Sequence, residues 1–228
     1  MTLQDDRNGT LVIGIDFGHY IPSQIEYTRN GDIVWGQQAS NGGLLWFKLL
    51  LLDELDLQLH LRNSDHLKQA RDNLDKTGKD IVTVVSDYLR KVWNHVMKTI
   101  ARAQGQQWLD NRPLHVVVTV PAIWQDDAIQ RMRCALAKVG ILNKRPGCRD
   151  TTHEFISEPE AAVLAAFDKY EKIPGLTPGQ TFVIADLGGG TVDLISFEVK
   201  ATEPQLILKE VVEGEGALCG AIFLDEES

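Results

Sequence analysis

Asp186-Leu-Gly-Gly-Gly-Thr-Val-Asp193 sits between two apolar, β-rich runs, TFVIADL and TVDLISFEVK. Glycines at 188, 189 and 190 permit positive φ and let the backbone come close to a ligand, so that successive N–H groups can point at phosphate oxygens. Thr191 adds a hydroxyl. Asp186 and Asp193 flank the turn as acceptors for magnesium-bound waters or for a nucleophilic water. A bare triple glycine is more often a flexible turn than a site. The bracketing aspartates change that balance, because carboxylates at the ends of apolar strands are costly unless they are used.

A second strand, LVIGIDF (Leu11 to Phe17), also ends in Asp-x-Gly, some 170 residues earlier in the chain. Asp16 is therefore the candidate matching carboxylate, although an aspartate capping a turn after a strand is an equally good account of it. Other nucleotide motifs are absent. No GxxxxGK[ST] occurs, since Gly78-Lys79 runs into Asp80, and Gly214 and Gly216 begin a GxGxxG that Cys219 breaks. A formal net charge of −9 argues against a general nucleic-acid binder, but it leaves room for one nucleotide held by backbone amides and a metal ion.

The elements that must position these residues follow from periodicity. LVIGIDF, HVVVTVPAIW and TFVIADL read as buried strands, and IEYT and DIVWG as a hairpin around Asn30-Gly31. A helix is expected over Asp80 to Ala103 on the stripe Val84, Val85, Leu89, Val92, Val96 and Ile100, and another over Asp126 to Val139, closed by Gly140. EPEAAVLAAFDKY reads as a helix with Pro159 in its first turn. Leu44 to about Leu61 reads as helical and leucine-rich, and RNSDHLKQARDNLDKTGKD as a connection with broken helix. Short strands complete the set near Glu154 to Ser157 and at QLILKEVV. The class is α/β with mixed sheets and flanking helices.

Cys134, Cys148 and Cys219 lack metal or disulfide spacing and read as free thiols of a reducing compartment. The polar, acidic N-terminus resembles no secretory or transit signal, and the longest apolar run, from Leu44, is too short and too charged to cross a bilayer. A cytoplasmic protein, with neither membrane nor nucleic acid as partner, is the expectation.

In order along the chain, IGIDFG, VTVPAIWQDDAIQRMRCALAKVGI, ISEPEAAVLAA, FVIADLGGGTVDLISFEV and GALCGAIFLDE resemble the 70-kilodalton heat-shock protein family, and most of all its divergent actin-like ATPase branch. The resemblance implies an actin-like ATPase (ribonuclease H-like) fold with ATP/ADP and Mg2+ as ligands. Asp16 and Asp186 would hold the metal through water. Gly18, Gly188, Gly189, Gly190 and Thr191 would wrap the phosphates, with Gly220 near the nucleotide at the edge of the second lobe. Asp193 or Glu158 would orient or deprotonate the attacking water, and Lys48 would stand where the family keeps a lysine near the γ-phosphate. Bland alternatives exist for two of these: Glu158 as a favourable charge at its helix start, and Lys48 as a side chain snorkelling from a leucine-rich helix.

The chain also departs from that pattern. Where the family places a threonine- and glycine-rich hairpin, Gly18 is followed by His19 and Tyr20, which are read as structural in preference to replacement ligands. On the resemblance, residues 1–178 form a first nucleotide lobe, incomplete at 18–19, and 179–228 the start of a truncated second lobe. Strands such as QLILKEVV would then lack their normal cover. Weak or absent hydrolysis follows, because this chemistry is mostly positioning. Two rivals stand beside that expectation: a non-catalytic remnant that contacts other proteins, and a sugar-kinase-like member of the same superfamily, for which the sequence offers no clear first loop.

Overall fold

Alternation between apolar and small or polar residues sets the first sheet. β1 (Leu3–Asp5) pairs antiparallel with β2 (Leu11–Ile15), a pairing that the polar N-terminal sequence gives no sign of. β2 in turn lies parallel to β5 (Leu114–Val120), with Ile13 opposite Val116. Leu11, Ile13 and Ile15 are buried together with Leu114, Val116, Val118 and Val120, which makes one face of this sheet a core face. β6 (Thr152–Ser157) completes the order β1-β2-β5-β6. Between β2 and β5 in sequence comes the expected hairpin, β3 (Ile25–Tyr27) against β4 (Ile33–Trp35), with Gly31 at φ 82° in its turn.

The computed structural model describes residues 3–5, 9–17, 23–40, 42–57, 62, 64–122, 124–169, 176–188, 192–204 and 206–217. They fall into two compact units, one built from Met1–Val118 and Trp124–Phe155, the other from Thr119–Ile123 and Ile156–Ser228.

Two expectations about helices in the first unit are corrected. Over its described residues, 44–57, the leucine-rich segment is not an α-helix: it holds a 3₁₀ turn, Phe47–Leu51, and Leu52 is already extended; the rest of the expected helix, 58–61, lies outside the described residues. Its leucines point in many directions, and Leu44, Leu49, Leu51, Leu52 and Leu57 are all buried, so tertiary burial and not a 3.6-residue stripe places them. Leu44 exchanges backbone bonds with Ile25, and Arg131 donates to the Leu51 carbonyl and to Asp53, which fixes the exit of the turn. Conversely, the polar stretch after Ser64 is one regular helix, α1 (Asp65–Thr77). Ser64 Oγ accepts from Leu67 N at 3.3 Å, and Gly78 closes the helix at φ 65°. Only Leu67 and Ala70 of α1 are buried, so its apolar stripe was too thin to read against the charges around it.

α2 (Ile81–Gln104) begins at Asp80, whose carboxylate accepts from Thr83 N at 2.8 Å, and it buries Val84, Val85, Leu89, Val96 and Ile100 as the periodicity requires. A short helix, α3 (Gln106–Asp110), follows. α4 (Asp126–Val139) ends at Gly140, where φ is 84° and a Cβ would lie 2.9 Å from Asn143 Nδ2. α2 and the β3–β4 hairpin are tied by Asp87, which is 7% exposed and accepts from Tyr27 Oη at 3.0 Å, Lys79 Nζ at 3.2 Å and Arg90 Nη1 at 2.7 Å.

In the second unit α5 (Glu158–Lys169) packs on an antiparallel sheet of order β7-β8-β9, formed by β7 (Thr181–Leu187), β8 (Val192–Ala201) and β9 (Ile207–Ala217). Val163 and Phe167 of α5 meet Phe182, Ile184, Ile195 and Phe197 on one face. TFVIADL was expected to be a buried strand, but its alternate residues are open: Val183 is 59% and Leu187 71% exposed. Among the described residues no helix is long and apolar enough to cross a membrane.

Burial pushes the Asp87 carboxyl up, but hydrogen bonds from Lys79, Tyr27 and Arg90 together outweigh it and hold the group below its ordinary value. A depressed folded value means that this stabilisation is complete above the ordinary carboxylate range and is lost as pH falls through the folded value. Urea titration of Asp87→Asn at pH 7 should show a loss of about 1–3 kcal/mol. The gap from the parent chain should narrow at pH 3; an unchanged gap would disprove the carboxylate's part in it.

Candidate functional site

The antiparallel register of β7 and β8 places Asp186 directly opposite Asp193. Ile184 pairs with Ile195 and Phe182 with Phe197 in the same ladder, so the two aspartates share the face that α5 covers. Cβ atoms of directly opposed residues stand roughly 4.5–5.5 Å apart, which brings two carboxylates to one end of an apolar face. Asp193 is fully buried and Asp186 half-buried. Such a pair is a donor set of hard oxygens, suited to a hard cation or its water shell. Gly188 follows β7 directly and is half-buried. Glu158 opens α5 in this same unit, where Ser157 Oγ accepts from Glu160 N at 3.3 Å; with Glu160 it supplies the acidic first turn.

In the first unit, Asp16 comes directly after β2 and is exposed, while the next residue, Phe17, is buried. Lys48 lies in the 3₁₀ turn and is only 2% exposed, so it does not snorkel to solvent. Its ammonium stands 5.6 Å from the centroid of the Phe17 ring and 5.5 Å from that of Trp124. Aromatic faces carry negative potential and stabilise a buried cation by about 0.5–2 kcal/mol. Trp46, two residues earlier, has φ 62°, a left-handed backbone that costs a non-glycine residue about 1–3 kcal/mol. Phe47 and Tyr88 extend the ring cluster, at 5.8 and 5.5 Å from Phe17. A charged group is thereby placed beside the residue that follows Asp16.

Of the residues singled out from sequence, the structure brings Asp186 and Asp193 together, and it seats Lys48 against the residue that follows Asp16. Gly18, His19, Tyr20, Gly189, Gly190, Thr191 and Gly220 lie outside the described residues. Phe17 and Trp124 were not singled out. Their pairing with Lys48 joins three distant stretches of chain, and only the aromatic residues in IDF and PAIW hinted at it.

No family model matches the chain. It is similar to Heat shock 70 kDa protein 12A of Homo sapiens, with 24% identity over 231 residues covering 78% of this chain and 33% of that protein. Identity is 22% to the Mus musculus 12A protein over 226 residues and 22% to Heat shock 70 kDa protein 12B of Homo sapiens over 228 residues, with 78% and 77% of this chain covered. The chain spans about a third of the length of these curated relatives. These similarities support a distant relationship to heat-shock-70-like proteins.

Lys48 is buried beside Phe17 and Trp124, so truncating it leaves a cavity. Calorimetric melting of Lys48→Ala should therefore give a Tm below that of the parent chain by about 4 °C or more. An unchanged Tm would mean that the side chain is not packed in this position.

Proposed function

We propose that the chain is a nucleotide-binding module of heat-shock-70-like ATPase descent, with Mg-ATP as its ligand. The observation that carries this reading is the register that sets Asp186 against Asp193 beside the triple glycine. In it, the backbone amides of Gly188, Gly189 and Gly190 and the Thr191 hydroxyl hold the phosphates, joined by Gly18 and Gly220. Asp16 and Asp186 serve as acceptors for the water shell of magnesium, which when bound neutralises phosphate charge. Asp193 or Glu158 orients the attacking water and takes its proton. Lys48 keeps a fixed positive charge for the γ-phosphate, and Phe17 and Trp124 hold it in one place. Turnover is slow in this reading, because each of these groups helps only if it is positioned. Cys134 and Cys148 are free thiols, which fits a reducing, cytoplasmic setting.

A second reading, a non-catalytic module that contacts proteins, is favoured by the open apolar face of β7 and β8, where Val183, Leu187 and Leu194 are exposed. Calorimetric titration with Mg-ATP separates the two. The first reading expects binding tighter than about 1 mM that vanishes in Asp186→Ala. Flat heats from a chain with a folded circular-dichroism spectrum would transfer the assignment to the second.

A further inference from the structure

Lys91, His95, Lys98 and Arg102 follow one another along α2 at spacings of four, three and four residues. At 100° per residue they fall within about 60° of arc, which makes them a single stripe. His95, Lys98 and Arg102 are exposed and Lys91 half-buried. No acidic residue occurs in the helix after Asp87, although the chain as a whole carries a net charge of −9. Three basic groups elsewhere on this helix and its neighbour α4 do have acidic partners: Arg90 is bound to Asp87, Arg131 to Asp53, and Lys138 lies near Asp80. Among the described residues no ion pair engages Lys91, Lys98 or Arg102.

Alongside the stripe runs an open groove of about 380 Å³, with half-buried Met97 and Ala101 over the buried Leu109 as its floor and Lys98, Arg102 and Gln106 at its rim. A helix dipole accounts for a base in the last turn, as at Arg102. It does not account for Lys91 and His95, two to three turns upstream, nor for an apolar floor beside the charges. Basic rim and apolar floor together match a helix that carries carboxylates on one side and aliphatic side chains on the other. A nucleic-acid backbone would gain nothing from the floor and would be repelled by the remaining negative charge of the protein.

We propose that the α2–α3 face docks an acidic amphipathic helix of a partner protein, with aliphatic side chains on the half-buried Met97 and Ala101 and carboxylates on Lys98 and Arg102. The test is fluorescence anisotropy of the full chain with a labelled synthetic helix of about 18 residues, long enough to cross the groove, bearing leucines on one face and glutamates on the other. Saturable binding is expected at 50 mM salt, weakened about fivefold or more at 300 mM. The double variant Lys98→Glu/Arg102→Glu should weaken it about tenfold or more, and Met97→Ser should weaken it to a lesser degree. Lys209→Glu, an exposed charge change in the other unit, should leave it unaltered. Each variant changes a side chain that is exposed or half-buried, and circular dichroism verifies the fold. The proposal is overturned by no binding up to about 1 mM, or by equal binding to the double variant. It is equally overturned if polyglutamate of the same length binds as tightly, or if a short RNA or phosphatidylserine vesicles bind more tightly than the helix through the same two residues.

Discussion

Two carboxylates facing each other across an antiparallel ladder are the constraint on which the second unit turns. Like charges directly opposite are unfavourable, and burying one of them completely, as at Asp193, adds a desolvation cost. The register holds because the rungs on the same face are apolar pairs, Ile184 with Ile195 and Phe182 with Phe197, beneath Val163 and Phe167 of α5. Burying each such side chain stabilises by about 1.5–3 kcal/mol, so together they can outweigh an unfavourable rung at the end of the ladder. The sheet is thus apolar where it must be stable and charged where the chain turns, and a site built on it inherits the rigidity of the core.

The first unit handles charge in a related way. Lys48 is enclosed by Phe17 and Trp124 and follows a left-handed Trp46, so both packing strain and burial are concentrated where a cation is held. Asp87 differs in kind. Its three donors fix the β3–β4 hairpin to α2, which is a structural use of a buried charge. Both groups are almost completely buried, Lys48 with two aromatic rings beside it and Asp87 with three hydrogen-bond donors around it.

Much of this was legible in the sequence wherever a local rule had no competitor. Gly140 closes α4 where the pattern put it, Asp80 caps α2, and the Asn30-Gly31 pair turns the hairpin. The misreadings came from long-range burial. Leucines after residue 44 suggested a helix, but contacts with Ile25 and Arg131 from distant parts of the chain broke it into a 3₁₀ turn. α1 was hidden for the opposite reason, since capping by Ser64 and Gly78, and not an apolar stripe, defines it. At the candidate site the identity of the carboxylates was readable, whereas their face-to-face register and the ring pair beside Lys48 come from the folded structure.

The pairing of β7 with β8 also limits how related chains can diverge. Side chains alternate with a period of two, so a one-residue slip in pairing would turn Ile195 and Phe197 out to water and bring Leu194 and Ser196 inward. Lineages can therefore be expected to vary freely at Val183 and Leu187 on the open face while tolerating length changes poorly in the link between Leu187 and Val192. An alignment gap at that link would mark a branch in which the pairing of these two strands had changed.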